Sequence, residues 1–368
     1  KRHNAAIAEQ NGGKVPSNEE LENFNIKYIV EAPVDSADKK SAIQSCDNER
    51  LRAARKRSKK LKQRLAAKAA QFETNSGPKV VTGKTIQTPN KSKITKLFKI
   101  AVPDLSALSA DTQITGHWPT NMTHSLERNL NELEKLFRNN SGRPSSGGTG
   151  AADSLYFHSL NGVQLLTKIL SRIMNGTRER PTSLTDRSNQ KLAALYELVC
   201  GQHLDVADYV LQSQHVIDLL DILCHRINLL DTTLMNTAAP TCDIVVGALC
   251  RLLSTIFDTL HGHYSTLTDS TDDSLAFNHI IQDVISYIVS VGMIDKLSLM
   301  MANTRGPVDD NPELTQCLRS VVSLFSSLSK LMALRVEHRF GARLADDDTQ
   351  LMLTFQMTHI GGVVSLIY

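Results

Sequence analysis

The stretch Asn161-Gly-Val-Gln-Leu-Leu-Thr-Lys-Ile-Leu170 sets a pattern that three later stretches of the chain repeat in outline. In each copy, a residue that permits a turn is followed by a helix whose apolar positions recur every three to four residues. The other copies are Gln214-His-Val-Ile-Asp-Leu-Leu-Asp-Ile-Leu223, Gly292-Met-Ile-Asp-Lys-Leu-Ser-Leu-Met300 and Gly361-Gly-Val-Val-Ser-Leu-Ile-Tyr368. Recurrence at irregular intervals indicates a helical repeat whose units differ in length.

From His124 onward the apolar residues keep helical spacing, and the alternation typical of strands is scarce. The copies resemble the last helix of armadillo-type repeats, in which Gly allows the sharp bend between helices. We therefore predict an all-α fold, an irregular armadillo-like α-solenoid over 124–368 that is preceded by a basic helical arm. Two unrelated helical hairpins are the alternative. Polar surface loops are expected at 139–154, 175–188 and 261–274.

The densest charge in the chain lies between Arg52 and Lys68, where no acidic residue occurs. The segment has neither Gly nor Pro and consists mostly of strong helix formers, which predicts a helix over 47–73. A narrow stripe at helical spacing follows it through Leu51, Ala54, Ser58, Leu61, Leu65 and Phe72. Its nine basic residues are Arg52, Arg55, Lys56, Arg57, Lys59, Lys60, Lys62, Arg64 and Lys68.

Like charges one turn apart on this helix repel, which costs roughly 0.2–0.5 kcal/mol for each pair. Binding to a polyanion would relieve the repulsion, and phosphate backbone is the polyanion that fits best. We therefore predict that the nine residues bind RNA phosphate, with Lys56, Lys60 and Arg64 facing solvent. A nuclear-import signal and a solvated helix face are alternatives. An anionic membrane surface is another, although the apolar stripe is thin for insertion.

Charge is distributed unevenly along the chain. Residues 1–100 contain 22 Lys or Arg and 10 Asp or Glu, whereas residues 101–368 contain 19 and 28, so the net charges are +12 and −9. A basic arm on an acidic body suggests a nucleic acid or an anionic membrane as the partner of the arm. The acidic body is expected to meet protein partners, because RNA would be repelled from it.

The composition predicts four regions. Residues 1–46 are predicted to form a short helix that begins at Ser17, followed by a linker. Residues 47–73 are predicted to form the basic helix. Residues 74–123 form a linker, rich in Gly and Pro at first, with a second basic helix near Lys91–Ala101. Trp118 is expected to anchor the arm to the body formed by 124–368. The chain opens at Lys1 rather than Met, which suggests a piece of a longer protein.

The sequence contains no recognisable catalytic motif, such as a Walker loop, HExxH, GxSxG or a dinucleotide fingerprint, so we expect a protein that is not an enzyme. Arg251-Leu-Leu253 fits a loose cyclin-docking pattern but is interpreted as core. His261-Gly-His263 is interpreted as part of a solvated loop. The longest apolar stretch, Ile244–Leu260, is interrupted by charges and is not expected to span a membrane.

The six cysteines are Cys46, Cys200, Cys224, Cys242, Cys250 and Cys317. They are dispersed without a CxxC pair, and most lie on apolar helical faces. This is typical of reduced structural thiols in a cytosolic or nuclear compartment.

Several strings, in the same order, resemble the C-terminal region of the S-phase cyclin A-associated proteins of the endoplasmic reticulum. They are Gln282-Asp-Val-Ile-Ser-Tyr-Ile-Val289, Gly292-Met-Ile-Asp-Lys-Leu297, Gly306-Pro-Val-Asp-Asp-Asn-Pro312 and Lys68-Ala-Ala-Gln-Phe-Glu73, with Glu19-Glu-Leu-Glu-Asn upstream. The resemblance extends over essentially the whole chain. The loops at 139–153 and 175–188 depart from the family.

The resemblance implies a cytoplasmic adaptor, associated with the ribosome or the endoplasmic reticulum, in tubulin autoregulation. A tetratricopeptide-repeat factor that recognises nascent tubulin would recruit it, and it would bring a deadenylase complex to tubulin mRNA. The basic helix would then contact ribosomal RNA. A cyclin A-binding scaffold at the endoplasmic reticulum or nucleus, with the basic helix as a localisation signal, is the alternative function.

The resemblance also implies a zinc finger upstream of this chain, whose last zinc ligand would be His3. The Cys partners of that finger would lie outside the chain, so no zinc or other cofactor is expected in these 368 residues alone.

Overall fold

The structure is a computed structural model that describes residues 36–76, 86–110, 120–140, 149–175, 184–234, 243–266, 272–302 and 311–337. The chain divides into two compact units, 1–53 and 54–368. In the first unit only the beginning of one helix is described. The described residues are almost all helical and include no strand, which confirms the all-α prediction.

The described residues form twelve α-helices and one short 3-10 helix, Ser171–Asn175. The α-helices are α1 (Ser36–Ser76), α2 (Lys91–Ala110), α3 (Thr120–Asn140), α4 (Thr149–Ser159), α5 (Gly162–Leu170), α6 (Asp186–Gln202), α7 (Leu204–Gln212), α8 (His215–Leu234), α9 (Ile244–Tyr264), α10 (Asp272–Ser290), α11 (Met293–Ala302) and α12 (Pro312–Glu337). The basic helix α1 extends beyond the predicted 47–73 at both ends, and α2 lies at the second basic segment.

The helices of the second unit pack in a recurring order. Helices α3, α6, α9 and α12 form one row in which each packs against the next, and α5, α8 and α11 form a second row. Helix α4 likewise packs against α7. Each of the first three helices of the first row therefore begins a group of three, α3–α5, α6–α8 and α9–α11, and α12 follows the third group.

The core runs continuously through these groups, with α9 between α6 and α12. Gly247 brings α9 close to α12, since an added Cβ would lie 3.1 Å from the Cα of Cys317. By length and composition α9 could cross a membrane, as could the bent pair Ala276–Ser290 and Met293–Met301 taken together. However, 67% of the apolar window of α9 is buried inside the structure, as in a core helix.

The repeated stretches of the sequence begin the third helix of each group. Asn161 before α5 and Gly292 before α11 adopt left-handed backbone angles, with φ of 61° and 67°. This confirms the turn-permitting role of both residues. Gln214 does not adopt a positive φ, so the bend before α8 is made differently: the Ser213 hydroxyl accepts from the His215 N–H at 3.4 Å. The copy at Gly361 lies outside the described residues.

Two loops are shorter than the sequence predicts. Helix α9 continues through His261 and His263 to Tyr264, whose ring stacks on Phe277 with 3.6 Å between centroids. Helix α4 begins at Thr149, inside the predicted loop 139–154. Helix α9 extends past the point at which apolar periodicity stops, because the stacking of Tyr264 on Phe277 holds its last turn.

Candidate phosphate-binding helix

The apolar stripe of α1 is its contact with the rest of the second unit. Leu61, Leu65 and Ala69 are 6%, 4% and 3% exposed, and the two leucines belong to the hydrophobic core. One turn further, the Phe72 ring lies 6.2 Å from the Tyr209 ring of α7. The predicted stripe is therefore confirmed over this part of α1, and the second half of the helix is docked.

Ion pairs flank the stripe. Lys62 pairs with Asp221 of α8, and both Arg64 and Lys68 pair with Asp283 of α10. The Lys68 Nζ to Asp283 Oδ2 distance is 2.8 Å. The Asp283 side chain is only 6% exposed, whereas Arg64 and Lys68 are 52% and 38% exposed. These two carboxylates neutralise part of the charge of α1. We call Lys62, Arg64 and Lys68 the anchor cations.

The preceding turns of α1 present their charge differently. Five basic residues of the second unit are exposed there, and none forms an ion pair with a described residue. They are Arg55, Lys56, Arg57, Lys59 and Lys60, which we call the exposed cations. Arg52 is also exposed but belongs to the first compact unit. Between Arg55 and Lys68 the basic residues of α1 are thus divided into exposed cations and anchor cations.

Solvent exposure is confirmed for Lys56 and Lys60, but the expectation for Arg64 is only partly correct. Arg64 retains 52% exposure and at the same time donates to Asp283. Periodicity places Arg64 off the apolar stripe, but it carries no information about a carboxylate 219 residues later in the chain. A charge reversal that includes Arg64 would therefore disturb docking as well as the charged surface.

The surface of α8 and α10 that contacts α1 is acidic, and its ionisable groups lie close enough to affect one another. Asp221 also accepts a hydrogen bond from the Tyr287 hydroxyl of α10. Burial, together with this carboxylate, raises the pKa of Tyr287 well above its usual value. Burial is also the main cause of the raised pKa of Asp218, and the charge of Asp221 adds to it. A cation from α1 therefore offsets repulsion between acids that α8 places one turn apart.

A cleft of about 430 Å³ lies beside the docked half of α1. Its lining is mainly apolar and comes from α1, α7, α8 and α10, with Lys68 and His279 among the polar residues. The apolar lining residues include Leu65, Phe72, Leu211, Val216, Ile217 and Ile280. The docking contact is therefore anchored by its stripe and its ion pairs and leaves some of the interface unfilled.

Helix α2 carries a second, smaller basic face. Lys93, Lys96 and Lys99 are exposed, and Ile100 beside them is 47% exposed. The start of α2 is tied to α4, where the Asn90 amide donates to Asp153 at 2.8 Å. These lysines are a second group of exposed basic residues, separate in sequence from those of α1.

The other candidate residues are structural. Leu252 and Leu253 are fully buried in α9 and Arg251 pairs with Glu197 at 3.5 Å, so the interpretation of this motif as core is confirmed. Cys200, Cys250 and Cys317 are buried thiols and Cys224 is partly buried. Within the described residues no group of His, Cys, Asp or Glu could hold a metal ion. His3 and Trp118 lie outside the part that the structure describes.

Sequence reasoning did not identify the acceptors of the anchor cations. Asp221 and Asp283 lie within apolar helical periodicity, where an acid is expected to mark the solvated side. The only local signal was their position between apolar residues, as in Leu219-Leu-Asp-Ile-Leu223 and Ile281-Gln-Asp-Val-Ile285. A carboxylate in such surroundings usually has a cationic partner.

No family model matches this chain. The chain is 24% identical over 404 aligned residues to human "S phase cyclin A-associated protein in the endoplasmic reticulum". The alignment covers 100% of this chain and 27% of the human protein, so the chain spans about a quarter of the length of that relative. The resemblance inferred from the basic helix and the strings at 282–312 is thereby confirmed. Over its whole length, the chain is a distant homologue of a segment of this human protein.

Proposed function

We propose that this chain is a non-enzymatic adaptor that binds the phosphate backbone of RNA through the exposed cations of α1 and binds protein partners through its helical body. One observation carries the proposal. The basic residues of Arg55–Lys60 form no ion pair with the described residues, while the next turns of the same helix are anchored to the core. Docking of the following turns fixes the position of the exposed cations before RNA binds. A rigid cationic surface loses less conformational freedom on binding than a flexible tail does.

The arrangement of the exposed cations favours backbone contacts over base reading. At about 100° per residue, Arg55, Lys56, Arg57, Lys59 and Lys60 spread over roughly half of the helix circumference. Arg can fork to two phosphate oxygens and Lys acts as a compact charge. Such a surface fits the phosphates of a folded RNA helix, which proteins recognise mostly by shape and backbone.

The body has the character of a protein-binding module. Its three-helix groups stack in sequence order, which supports an armadillo-like α-solenoid, and such solenoids present extended surfaces to partners. The net charge of −9 over 101–368 opposes RNA binding there. We propose that RNA and protein partners therefore use different parts of the chain.

The ribosome is the RNA partner that we propose for α1, in the cytoplasm or at the endoplasmic reticulum. The tetratricopeptide-repeat factor and the deadenylase complex implied by the resemblance are the proposed partners of the body. In this role the chain would link recognition of nascent tubulin to decay of tubulin mRNA. The name of the human relative supports placement at the endoplasmic reticulum.

Ribosome co-sedimentation over a salt series tests the proposal. If five phosphates are engaged, log affinity should fall with log salt at a slope of roughly 4, at ~0.7–0.9 per phosphate. The variant Lys56→Glu/Lys60→Glu changes two exposed side chains away from the docking stripe, and it should abolish most of this binding. A chain that stays in the supernatant at low salt would overturn the proposal.

The matched control is Lys135→Glu/Arg319→Glu, which makes the same change of net charge on exposed positions of α3 and α12. It should sediment as the unaltered chain does. Equal loss of binding in both variants would mean that only net charge matters and that α1 is not a specific contact.

Cyclin A association is a second candidate function, favoured by the name of the human relative. Because Leu252 and Leu253 are fully buried, a cyclin contact would have to use a surface other than Arg251-Leu-Leu253. Binding of purified cyclin A to the full chain, unaffected by Lys56→Glu/Lys60→Glu, would support this function. If that variant changed the location of the chain in cells and not its sedimentation with ribosomes, the helix would be a localisation signal.

A further inference from the structure

We propose that Asp221 and Asp283 form a latch on α1. Their ion pairs keep the anchor cations Lys62, Arg64 and Lys68 from binding phosphate. A phosphate polymer bound to the exposed cations competes with the two carboxylates for the anchor cations and releases the helix. The proposal rests on the proposed function, because it assigns a regulation to the same phosphate-binding helix. It gives the two carboxylates a role beyond docking.

The two sets of cations are continuous along α1. From Arg55 to Lys68 the helix rises about 20 Å at 1.5 Å per residue, and Lys62 follows Lys60 by two residues. A nucleic acid duplex carries roughly one phosphate per 1.7 Å of its axis. A polymer that engages Arg55 to Lys60 therefore brings further phosphates past the anchor cations. The phosphates and the two carboxylates then compete for the same charges.

The charges favour a nearly balanced competition between phosphate and the two carboxylates for the anchor cations. Two carboxylates face three cations, so the docked surface keeps an excess positive charge that attracts phosphate. Arg64 and Lys68 are 52% and 38% exposed and Lys62 is 47% exposed, so water and counterions reach all three. Ion pairs at such exposure are weak and salt-sensitive. A polyanion that releases its own counterions can replace them.

The apolar stripe opposes release and makes the latch a two-state element. Leu61, Leu65 and Ala69 would return to water if α1 left the body, and Phe72 would leave Tyr209. The docked state is thus held by apolar burial, with the ion pairs deciding the balance. Asp283 is the more important acid, because its described hydrogen-bond donors are Arg64 and Lys68, whereas Asp221 also accepts from Tyr287.

The test compares the unaltered chain with Asp221→Asn/Asp283→Asn in binding a fluorescent hairpin RNA across a salt series. Loss of the carboxylates removes the groups that RNA must displace from the three anchor cations. If RNA displaces them in the unaltered chain, eight phosphates are engaged and both chains should show a salt slope of roughly 6, at ~0.7–0.9 per phosphate. Affinity at a fixed low salt concentration should rise by at least tenfold. The matched control, Asp258→Asn/Glu132→Gln, removes two exposed acids that pair with Lys330 and Lys135 and should change neither quantity.

A second measurement follows release directly. Ala69 is 3% exposed in the docked helix, so the thiol of Ala69→Cys should react slowly with a maleimide, as quantified on the peptide by mass spectrometry. Saturating RNA should raise its labelling rate at least tenfold. If the double Asp variant does not fold, Asp283→Asn alone replaces it in the first measurement, and the Ala69→Cys measurement requires neither variant.

The outcomes separate the two proposals. If the unaltered chain does not bind the RNA at low salt, the proposed function fails, and the latch fails with it. If it binds with a slope near 4 but the Asp variant has the same slope and affinity and RNA leaves Ala69→Cys protected, the latch is overturned and the proposed function stands. A slope near 6 in the unaltered chain, tighter binding by the Asp variant and RNA-dependent labelling of Ala69→Cys together establish the latch.

Discussion

Lys68 and Asp283 form an ion pair of 2.8 Å that joins α1 to α10 across 215 residues of sequence. The acid is nearly buried and the cation is more than one-third exposed. This unequal burial is typical of a charge at the edge of a contact, where one partner is fixed in the body and the other remains in reach of solvent. It explains how a strongly basic helix packs against an acidic body without losing its whole charged surface.

The pair should contribute modestly to stability. A double-mutant cycle with Lys68→Met and Asp283→Asn is expected to give a coupling free energy of about 1 kcal/mol, because Lys68 is partly solvated. The coupling should shrink as salt is raised. Urea denaturation at two salt concentrations measures it. The pair Glu132 and Lys135 on α3 is the control and should show only a few tenths of a kcal/mol. Coupling no larger than in the control would mean that the pair does not contribute to docking.

The leucine between the anchor cations should contribute more to stability. Leu65 is 4% exposed, and Leu65→Ala removes buried methyl groups at a cost of roughly 2–3 kcal/mol in the free energy of unfolding. Gln63→Ala, on the exposed side of the same turn, should change it by less than about 0.5 kcal/mol. Chemical denaturation followed by circular dichroism compares them. Equal effects of the two substitutions would contradict docking through the stripe.

A histidine beside the docking contact should make the fold sensitive to acid. The His215 ring of α8 lies 5.5 Å from the Tyr209 ring, and the His158 ring of α4 lies 4.4 Å from the same Tyr209 ring. Neither ring nitrogen of His215 has a partner among the described residues. Burial, followed by the positive charges of His158 and Lys168, lowers the pKa of His215 from 6.5 to about 4.

Because the folded chain holds His215 neutral, its stabilising contribution is fully present above pH 6.5 and is lost as the pH falls toward 4. In that window the unfolded chain takes up a proton that the folded chain does not. The loss should reach at most about 3 kcal/mol, from a pKa difference of 2.5. The expected result is a falling urea midpoint between pH 7 and 5, with a shallower fall in His215→Leu. His263→Asn, at an exposed position, is the control. An unchanged pH dependence in His215→Leu would exclude His215 as the cause.

The buried thiols should be inert while the chain is folded. Burial raises the pKa of Cys200 and Cys250 far above the usual value and that of Cys224 to about 11, which leaves almost no thiolate at pH 8. In a Cys46→Ser/Cys242→Ser background, the remaining thiols should react with a disulfide reagent only at the rate of unfolding. Adding urea should therefore accelerate labelling. Fast labelling of Cys250 in the native chain would mean that α9 is not the buried helix described above.

The helix boundaries show how far local information reaches. The residues Asn311-Pro312-Glu313 are of the types that favour a helix start, and the Asn311 side-chain oxygen accepts from the Leu314 N–H at 3.0 Å at the beginning of α12. Such a start can be read from the sequence because a cap depends on three or four consecutive residues. The end of α9 at Tyr264 was not predicted, because a ring stacked on Phe277 from the next helix holds it. A contact of that kind has no counterpart in local periodicity.

The sequence by itself determined the helical class of this protein, the apolar stripe and charge of α1, and the recurring turn before the third helix of each group. All of these follow from residues a few positions apart, whose spacing decides which side of a helix can leave water. The tertiary structure alone decided which cations of α1 remain available. Asp221 and Asp283 lie more than 150 positions from their partners, and only folding brings them together. Whether a charge is solvated or neutralised depends on what the fold places beside it, and this separates the anchor cations of α1 from its exposed cations.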